Sequence, residues 1–280
     1  MPIDVWKFVA GLGLFLFGIQ LVEISLKYLA GRHFKKLIRK HTENKFKSIL
    51  AGTLSTMVLQ SSSAVTLMLL ALVGSGVLAL SNALGIILGA NLGTTFTGWV
   101  VSTFGFKVNI ESAIFPVIAT GALLHVFLSS RRLFSDWGKF ILGIGLLFFG
   151  ITLMKDSVIS VKDEISFESF HTQSIYFYAL GGFLFTAVIQ SSSATMAITL
   201  TALNASLLSL SAAAALMVGA DLGTTITTML GSAGGTAEKK QVAAAHFIYN
   251  LVTCLLALLF LKLLFLMLAQ IRTKLQQVHN

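Results

Sequence analysis

The sequence predicts an all-α membrane protein made of two repeats, and three observations support this fold class. Of the 280 residues, 55% are apolar and only 11% are charged, whereas a soluble domain has roughly 25% charged residues. Several apolar runs are longer than the ~18 residues that a helix needs to cross a bilayer. The sequence also matches itself when shifted by 130 residues: between 52–97 and 182–227, 21 of 46 positions are identical without a gap.

Each repeat, 1–130 and 131–280, is predicted to contain four elements in the same order. A long transmembrane helix comes first, and an apolar run with Gln-Ser-Ser-Ser (QSSS) at its centre follows it. Next comes a transmembrane helix broken at GANLGTT or GADLGTT, and a closing transmembrane helix ends the repeat. The predicted elements are 8–29, 48–73, 77–104 and 112–129 in the first repeat, and 138–157, 177–203, 207–230 and 241–268 in the second.

The first helix, 8–29, is too long for the core of a signal peptide and lacks a cleavage pattern of small residues, so we expect it to be retained.

The QSSS run admits two topologies. Its first arm, 48–60, would span roughly 20 Å as a helix and reach only mid-membrane. A re-entrant hairpin would give three crossings per repeat and invert the second repeat relative to the first. A straight span would give four crossings and parallel repeats, and the distribution of Lys and Arg does not decide between the two.

Two different polar motifs recur at the same spacing inside these apolar runs. QSSS lies 31 positions before Asn91 in the first repeat and 31 positions before Asp221 in the second. Serine, threonine and glycine in membrane helices usually serve close packing. The duplication of both motifs together, at a depth where unpaired polar groups are costly, favours a binding site.

The residue types in these motifs indicate an oxyanion and a cation as ligands. A helix that restarts after a break presents free N–H groups, which suit an anion, and a helix that ends there presents carbonyls, which suit a small cation. The motifs contain no Arg or Lys, so co-bound cations would compensate the charge of the anion. This is the logic of a cation-coupled symporter. Asp221, the only acid in the motifs, is expected to face Na⁺ or to be protonated.

The candidate oxyanion ligands are polar residues and one glycine of both QSSS motifs and of GANLGTT. They are Gln60, Ser61, Ser62, Ser63, Asn91, Gly93, Thr94, Thr95, Gln190, Ser191 and Ser192. His246 and Asn250 share one face of the last helix and are candidates for lining the site, with satisfied core packing as the alternative. Glu23 and Lys27, four residues apart, are predicted to form an interfacial ion pair.

These motifs resemble those of the type II sodium–phosphate cotransporter family. The resemblance rests on both QSSS motifs, GANLGTT, GADLGTT and AHFIYN (245–250), and it extends over both repeats. It implies re-entrant hairpins, inverted repeats and Na⁺-driven uptake of inorganic phosphate across the bacterial inner membrane. The family usually has Asn where this chain has Asp221, and the first repeat lacks a counterpart of His246 and Asn250. Many bacterial relatives look longer, so we expect a minimal transport core.

The resemblance also implies that the second QSSS and the following threonine cluster help to bind Na⁺. With Asp221 added on electrostatic grounds, the candidate sodium ligands are Gln190, Ser191, Ser192, Ser193, Asp221, Thr224, Thr225 and Thr227. No cofactor besides this coupling ion is expected. Membrane lipid is the other expected partner, and the sequence leaves a homodimer open.

Composition excludes several other classes of protein. A single cysteine, Cys254, excludes an internal disulfide framework and cysteine-based zinc or iron–sulfur sites. The net charge of +9 fits basic cytoplasmic loops better than nucleic-acid binding. An enzyme is not expected, because an intramembrane serine hydrolase needs an activated serine and neither QSSS has a histidine partner. Two alternatives to phosphate symport remain: symport of sulfate or a carboxylate, and an anion channel.

Overall fold

The computed structural model describes residues 2–40, 44–107, 111–162 and 174–279. These residues form α-helices, with one π-helical turn at Thr103–Lys107 and no strand among them, as the all-α prediction requires. In chain order the helices are α1 Pro2–Lys40, α2 Lys45–Leu59, α3 Ser62–Gly74, α4 Leu80–Ser102, α5 Glu111–Phe127, α6 Arg132–Lys162, α7 Ile175–Ile189, α8 Ser192–Asn204, α9 Leu210–Gly223, α10 Thr225–Ser232 and α11 Ala237–His279.

Five stretches of helix within the described residues are long and apolar enough to cross a membrane, which supports the prediction of a multi-pass membrane protein. They are Val5–Leu29, Leu80–Gly105, Arg132–Val158, Leu210–Ser232 and Ala237–Leu264. Large apolar side chains lie on the outside of the molecule, including Trp99 at 71%, Phe127 at 76% and Val188 at 82% exposure. Such a surface suits contact with lipid rather than with water.

Each QSSS motif separates a pair of consecutive helices. Gln60 and Ser61 lie between α2 and α3, and Gln190 and Ser191 lie between α7 and α8. The two glutamines have left-handed backbone conformations, with φ of 53° at Gln60 and 57° at Gln190. Residues other than glycine rarely adopt this conformation. The backbone therefore makes the same sharp break at equivalent positions of the two repeats.

The predicted break at GANLGTT is wrong, because α4 continues through the motif without interruption. Gly93 serves packing: a Cβ atom there would lie 2.6 Å from the carbonyl oxygen of Thr53 in α2. The hydroxyls of Thr94 and Thr95 donate to carbonyls of their own helix, at 3.0 and 2.7 Å, so they do not open the backbone. In the second repeat the interruption is a single residue, Thr224, between α9 and α10.

Glycine contacts fix the directions of the first helices of the two repeats. A Cβ atom on Gly11 would lie 2.8 Å from the carbonyl oxygen of Gly150, and one on Gly18 would lie 2.7 Å from that of Gly143. As the residue number rises along α1, the contacted number falls along α6. The two helices therefore run antiparallel, with their backbones in close contact.

In each repeat, the helix that leads into QSSS runs parallel to the third element. In the first repeat, Gly89 of α4 packs against the backbone of Ile49 in α2, and Gly93 packs against Thr53. The second repeat has the same arrangement, with Gly219 of α9 against Ala179 in α7 and Gly223 against Phe183. Equivalent glycines therefore hold both helices that end at QSSS.

A central apolar cluster joins the two repeats. It is made of buried side chains from α1, α4, α6 and α8, namely Phe15, Ile19, Val101, Ile151, Met154, Ala194 and Ala197. Because α8 begins at the second QSSS motif, this cluster anchors the helix that leaves the motif against helices of the first repeat.

The contact between α1 and α6 can be tested with two glycines of one helix. Gly18→Ala should lower the melting temperature of the purified protein, because the new methyl group meets the backbone of α6 and overpacking costs about 1–3 kcal/mol. Gly13→Ala is the matched control, since a Cβ atom there has no neighbour within 4 Å. If both variants melted like the wild type, the close approach of α1 and α6 would be refuted.

Candidate functional site

The two QSSS motifs come together at one cavity. This cavity has a volume of about 190 Å³, and all eight QSSS residues, 60–63 and 190–193, line it. Four residues of α1 complete the described lining: Leu16, Ile19, Gln20 and Glu23. A single water needs only about 10–15 Å³ of such space, so this QSSS cavity has room for a small polyatomic ion.

Two helices begin at the QSSS cavity. Ser61 caps α3 by accepting a hydrogen bond from the N–H of Ala64 at 3.2 Å, and Ser191 caps α8 in the same way with Ala194 at 3.3 Å. The other N–H groups of each first turn have no partner within their helix, and both helices direct the positive end of their dipole towards the motif. The cavity therefore combines two helix N-termini, which is an arrangement suited to an anion.

The side chains of the two glutamines differ in their partners. Gln60 accepts a hydrogen bond from the Thr97 hydroxyl at 2.9 Å and donates one to the carbonyl oxygen of Met57. The equivalent threonine in the second repeat, Thr227, has a buried hydroxyl without a partner among the described residues. Gln190 is exposed to the cavity. The second repeat therefore lacks the glutamine–threonine hydrogen bond that the first repeat makes.

Asn91 and Asp221, which occupy equivalent positions in the two repeats, contact each other directly. The Asn91 amide donates to the Asp221 carboxylate at 3.3 Å and to the side-chain oxygen of Asn250 at 2.6 Å. Asn250 in turn donates to the backbone carbonyl of Asp221 at 3.0 Å. Sequence analysis did not pair these residues. The sequence signal for this pair is their separation of 130 positions, which equals the repeat shift. Residues at equivalent positions can contact each other where they lie near the symmetry axis that relates the repeats.

His246 and Asn250 lie in the core, at 3% and 1% exposure, and neither is among the described residues that line the cavities. The Asn250 amide nitrogen lies 3.3 Å from Nε2 of His246, and Nδ1 of His246 lies 2.9 Å from the Thr228 hydroxyl. Because an amide nitrogen can only donate, Nε2 is an acceptor and Nδ1 carries the proton. His246 thus supports Asn250, and Asn250 holds Asn91 and Asp221 in position through its hydrogen bonds.

A second cavity, of about 280 Å³, lies beside the Asn91–Asp221 contact. Asn91, Thr94, Thr95 and Asp221 line it, together with apolar residues of α8, α9 and α11. Ser192 lines both this cavity and the QSSS cavity. The structure thus divides the predicted oxyanion ligands into a QSSS group and a group around Asn91, and Ser192 connects the two.

The remaining predicted ligands do not line either cavity within the described part of the chain. Gly93 packs against α2, as described above. The hydroxyls of Thr224 and Thr225 donate to carbonyls of the preceding turn, at 2.6 and 2.7 Å.

The predicted ion pair is confirmed, with Lys27 Nζ 3.6 Å from the Glu23 carboxylate. Sequence analysis placed Glu23 at the interface and missed its position at the QSSS cavity.

Comparison with known proteins identifies relatives along most of the chain. The profile of the family described as Na⁺/Pi-cotransporter matches residues 14–156 and 168–279. The uncharacterized protein YqeW of Bacillus subtilis is 29% identical over 258 residues, which cover 91% of this chain and 82% of that protein. No solved structure gave a significant match.

Two further relatives have names that refer to phosphate. The putative inorganic phosphate export protein YjbB of Escherichia coli is 27% identical over 259 residues, which cover 91% of this chain but only 46% of that protein. The sodium-dependent phosphate transport protein 2A of Oryctolagus cuniculus is 39% identical over 59 residues, 21% of this chain and 9% of that protein.

Proposed function

The chain belongs to the Na⁺/Pi-cotransporter family, and from this premise we propose that it carries inorganic phosphate across the bacterial inner membrane in symport with Na⁺. The observation that carries the proposal is the convergence of both QSSS motifs on one cavity. Two helix N-termini and several hydroxyl and amide groups meet there, and these are donors that a phosphate oxyanion accepts.

The electrostatics of the QSSS cavity favour coupling to a cation. No lysine or arginine is among the described residues that line it, so helix dipoles and neutral donors would have to hold the whole charge of phosphate. A cation in the neighbouring cavity, at Asp221, would compensate part of that charge. Ser192, which lines both cavities, is then the residue through which the two ligands influence each other.

Asp221 suits the cation rather than the phosphate. Two like charges about 4 Å apart repel by about 4 kcal/mol at an effective dielectric of 20, so an ionised carboxylate beside phosphate would weaken binding. Against Na⁺ the same interaction is attractive. The location of Asp221 outside the described lining of the QSSS cavity supports this division of roles.

We further propose that the repeats are inverted and that each QSSS pair of helices is a re-entrant hairpin. The antiparallel packing of α1 and α6, which are equivalent helices, supports the inversion. The hairpin is supported by α2 and α4, which run parallel with their beginnings level: the five-residue connection 75–79 can reach the start of α4 only if α3 returns towards the start of α2. Alternating access would then exchange the conformations of the two repeats.

Labelling from one side of the membrane tests this topology. In a Cys254→Ser background, Lys45→Cys and Ser75→Cys should react with an impermeant maleimide from the same side, because a hairpin returns the chain to where it began. Ser206→Cys, the exposed residue that corresponds to position 76, should react only from the other side. Straight spans would instead place Ser75→Cys opposite Lys45→Cys, and that labelling pattern would rule out the hairpin.

Flux measurements test the transport function. Purified protein in proteoliposomes should accumulate labelled phosphate when a Na⁺ gradient is imposed, but not with a K⁺ gradient. Gln60→Ala and Gln190→Ala should each weaken phosphate affinity about 10- to 150-fold, because a hydrogen bond to a charged ligand contributes about 1.5–3 kcal/mol. Asn204→Ala, which removes an exposed amide at the far end of α8, is the control.

The same vesicles separate the competing substrates and directions. Competition by sulfate or succinate at equal concentration would favour a different oxyanion, and dissipation of a phosphate gradient without accumulation would favour a channel. The name of the Escherichia coli relative refers to export. A symporter runs in the direction of the combined gradients, so an outward Na⁺ gradient should drive preloaded phosphate out.

Asp221→Asn separates the cation role from the phosphate role. The variant keeps a side-chain oxygen that can accept the hydrogen bond from Asn91, so the protein should still fold. The Na⁺ concentration for half-maximal uptake should rise about tenfold or more, as expected when a charged partner is lost. Phosphate affinity at saturating Na⁺ should change much less. A large loss of phosphate affinity with unchanged Na⁺ dependence would instead make Asp221 a donor to the substrate.

A further inference from the structure

We propose that Glu23, together with Gln20 and Ser61, forms a second cation site on the α1 wall of the QSSS cavity. This inference rests on the proposed function only in that phosphate would be the neighbouring ligand. The three side chains all line the cavity. A carboxylate, an amide carbonyl and a hydroxyl offer the hard oxygen ligands that alkali cations prefer.

Among the described residues, the second repeat contributes no wall to the cavity that is equivalent to the one formed by α1. The described lining outside the QSSS motifs comes from α1 alone. Aligning 17–19 with 149–151, both Phe-Gly-Ile, places Lys155 at the position that corresponds to Glu23. The charge is therefore reversed between the repeats, and packing of a duplicated helix does not by itself account for a carboxylate at the cavity on one side only.

Lys27 is a weak partner for this carboxylate. Its ammonium lies 3.6 Å from Glu23, and its side chain is 46% exposed, whereas that of Glu23 is 25% exposed. Ion pairs with an exposed lysine contribute little, because water and salt screen them and the long side chain loses entropy. Lys27 is not among the residues that line the cavity. The side of Glu23 that faces the cavity is thus available to a cation that enters from it.

The position of Glu23 makes a cation necessary when an oxyanion is present. An unneutralised carboxylate in the wall of the same cavity repels phosphate, and the repulsion is stronger where little water screens it. A monovalent cation between Glu23 and the first QSSS motif removes this repulsion and adds an attraction. Phosphate and this cation would therefore favour each other's binding, in addition to any cation at Asp221.

Binding of radioactive sodium without phosphate tests the site directly. The measurement uses purified full-length protein with Asp221→Asn, which removes the other proposed cation ligand. Glu23→Gln should weaken the remaining Na⁺ binding at least about tenfold, as expected when a charged ligand becomes neutral. Lys27→Gln should strengthen Na⁺ binding about 1.4- to 5-fold. The substitution removes a cation that competes for the Glu23 carboxylate, and this factor corresponds to the strength of an exposed ion pair.

The opposite signs of the two variants distinguish a binding site from a structural ion pair. If the Glu23–Lys27 ion pair only stabilised a turn of α1, both substitutions would break the same contact. The two variants would then change Na⁺ binding in the same direction as each other, and likewise the melting temperature. That result, or Na⁺ binding unaffected by Glu23→Gln, would overturn the proposal. Phosphate flux that proved independent of Na⁺ would refute the proposed symport, yet sodium binding lost in Glu23→Gln would still establish the site.

Discussion

The two breaks at Gln60 and Gln190 are the constraint on which the rest of the structure depends. Each break removes several backbone hydrogen bonds in a molecule whose outer surface is apolar, and such groups are costly unless protein or bound solvent satisfies them. Ser61 and Ser191 satisfy one N–H group each by capping the following helix. The residues of both breaks line one shared cavity. The cost of breaking two helices is thus offset at a single place, where a ligand can provide the missing partners.

Close packing of backbone on backbone keeps the breaks in position. Gly89 and Gly93 allow α4 to lie directly against α2, and Gly219 and Gly223 do the same for α9 and α7. The helical hydrogen-bond pattern stops at each break, so packing against a neighbouring helix must fix the direction of the helix that ends there. Because the contacted atoms are backbone atoms that cannot move aside, any side chain at these four positions would displace the helix and the motif at its end.

Sequence reasoning did not determine the structure of either polar motif, because each residue pattern has more than one physical meaning. For QSSS it allowed a hairpin or a straight span, and only the resemblance favoured the hairpin; the structure breaks the helix at both glutamines. Gly-Thr-Thr was read as a break, yet Gly93 serves close packing and the threonines bond to their own helix. Composition cannot separate these uses. The repeat shift marks Asn91 and Asp221 as equivalent, but whether they touch, and where Glu23 lies, depends on how distant helices cross, which a single sequence does not show.

The duplication supplies a symmetric scaffold, while the chemistry placed on it is asymmetric. Equivalent positions hold Asn91 and Asp221, so one carboxyl group rather than two lies at the contact between the repeats; two ionised carboxylates at that distance would repel each other. Thr97 bonds to Gln60, but its counterpart Thr227 has no partner among the described residues. In the proposed alternating access, a symmetric scaffold would let the repeats exchange conformations at little cost in free energy. Single-copy charges are what can make that exchange depend on which ions are bound, because a ligand shifts an equilibrium only by its differential affinity for the two states.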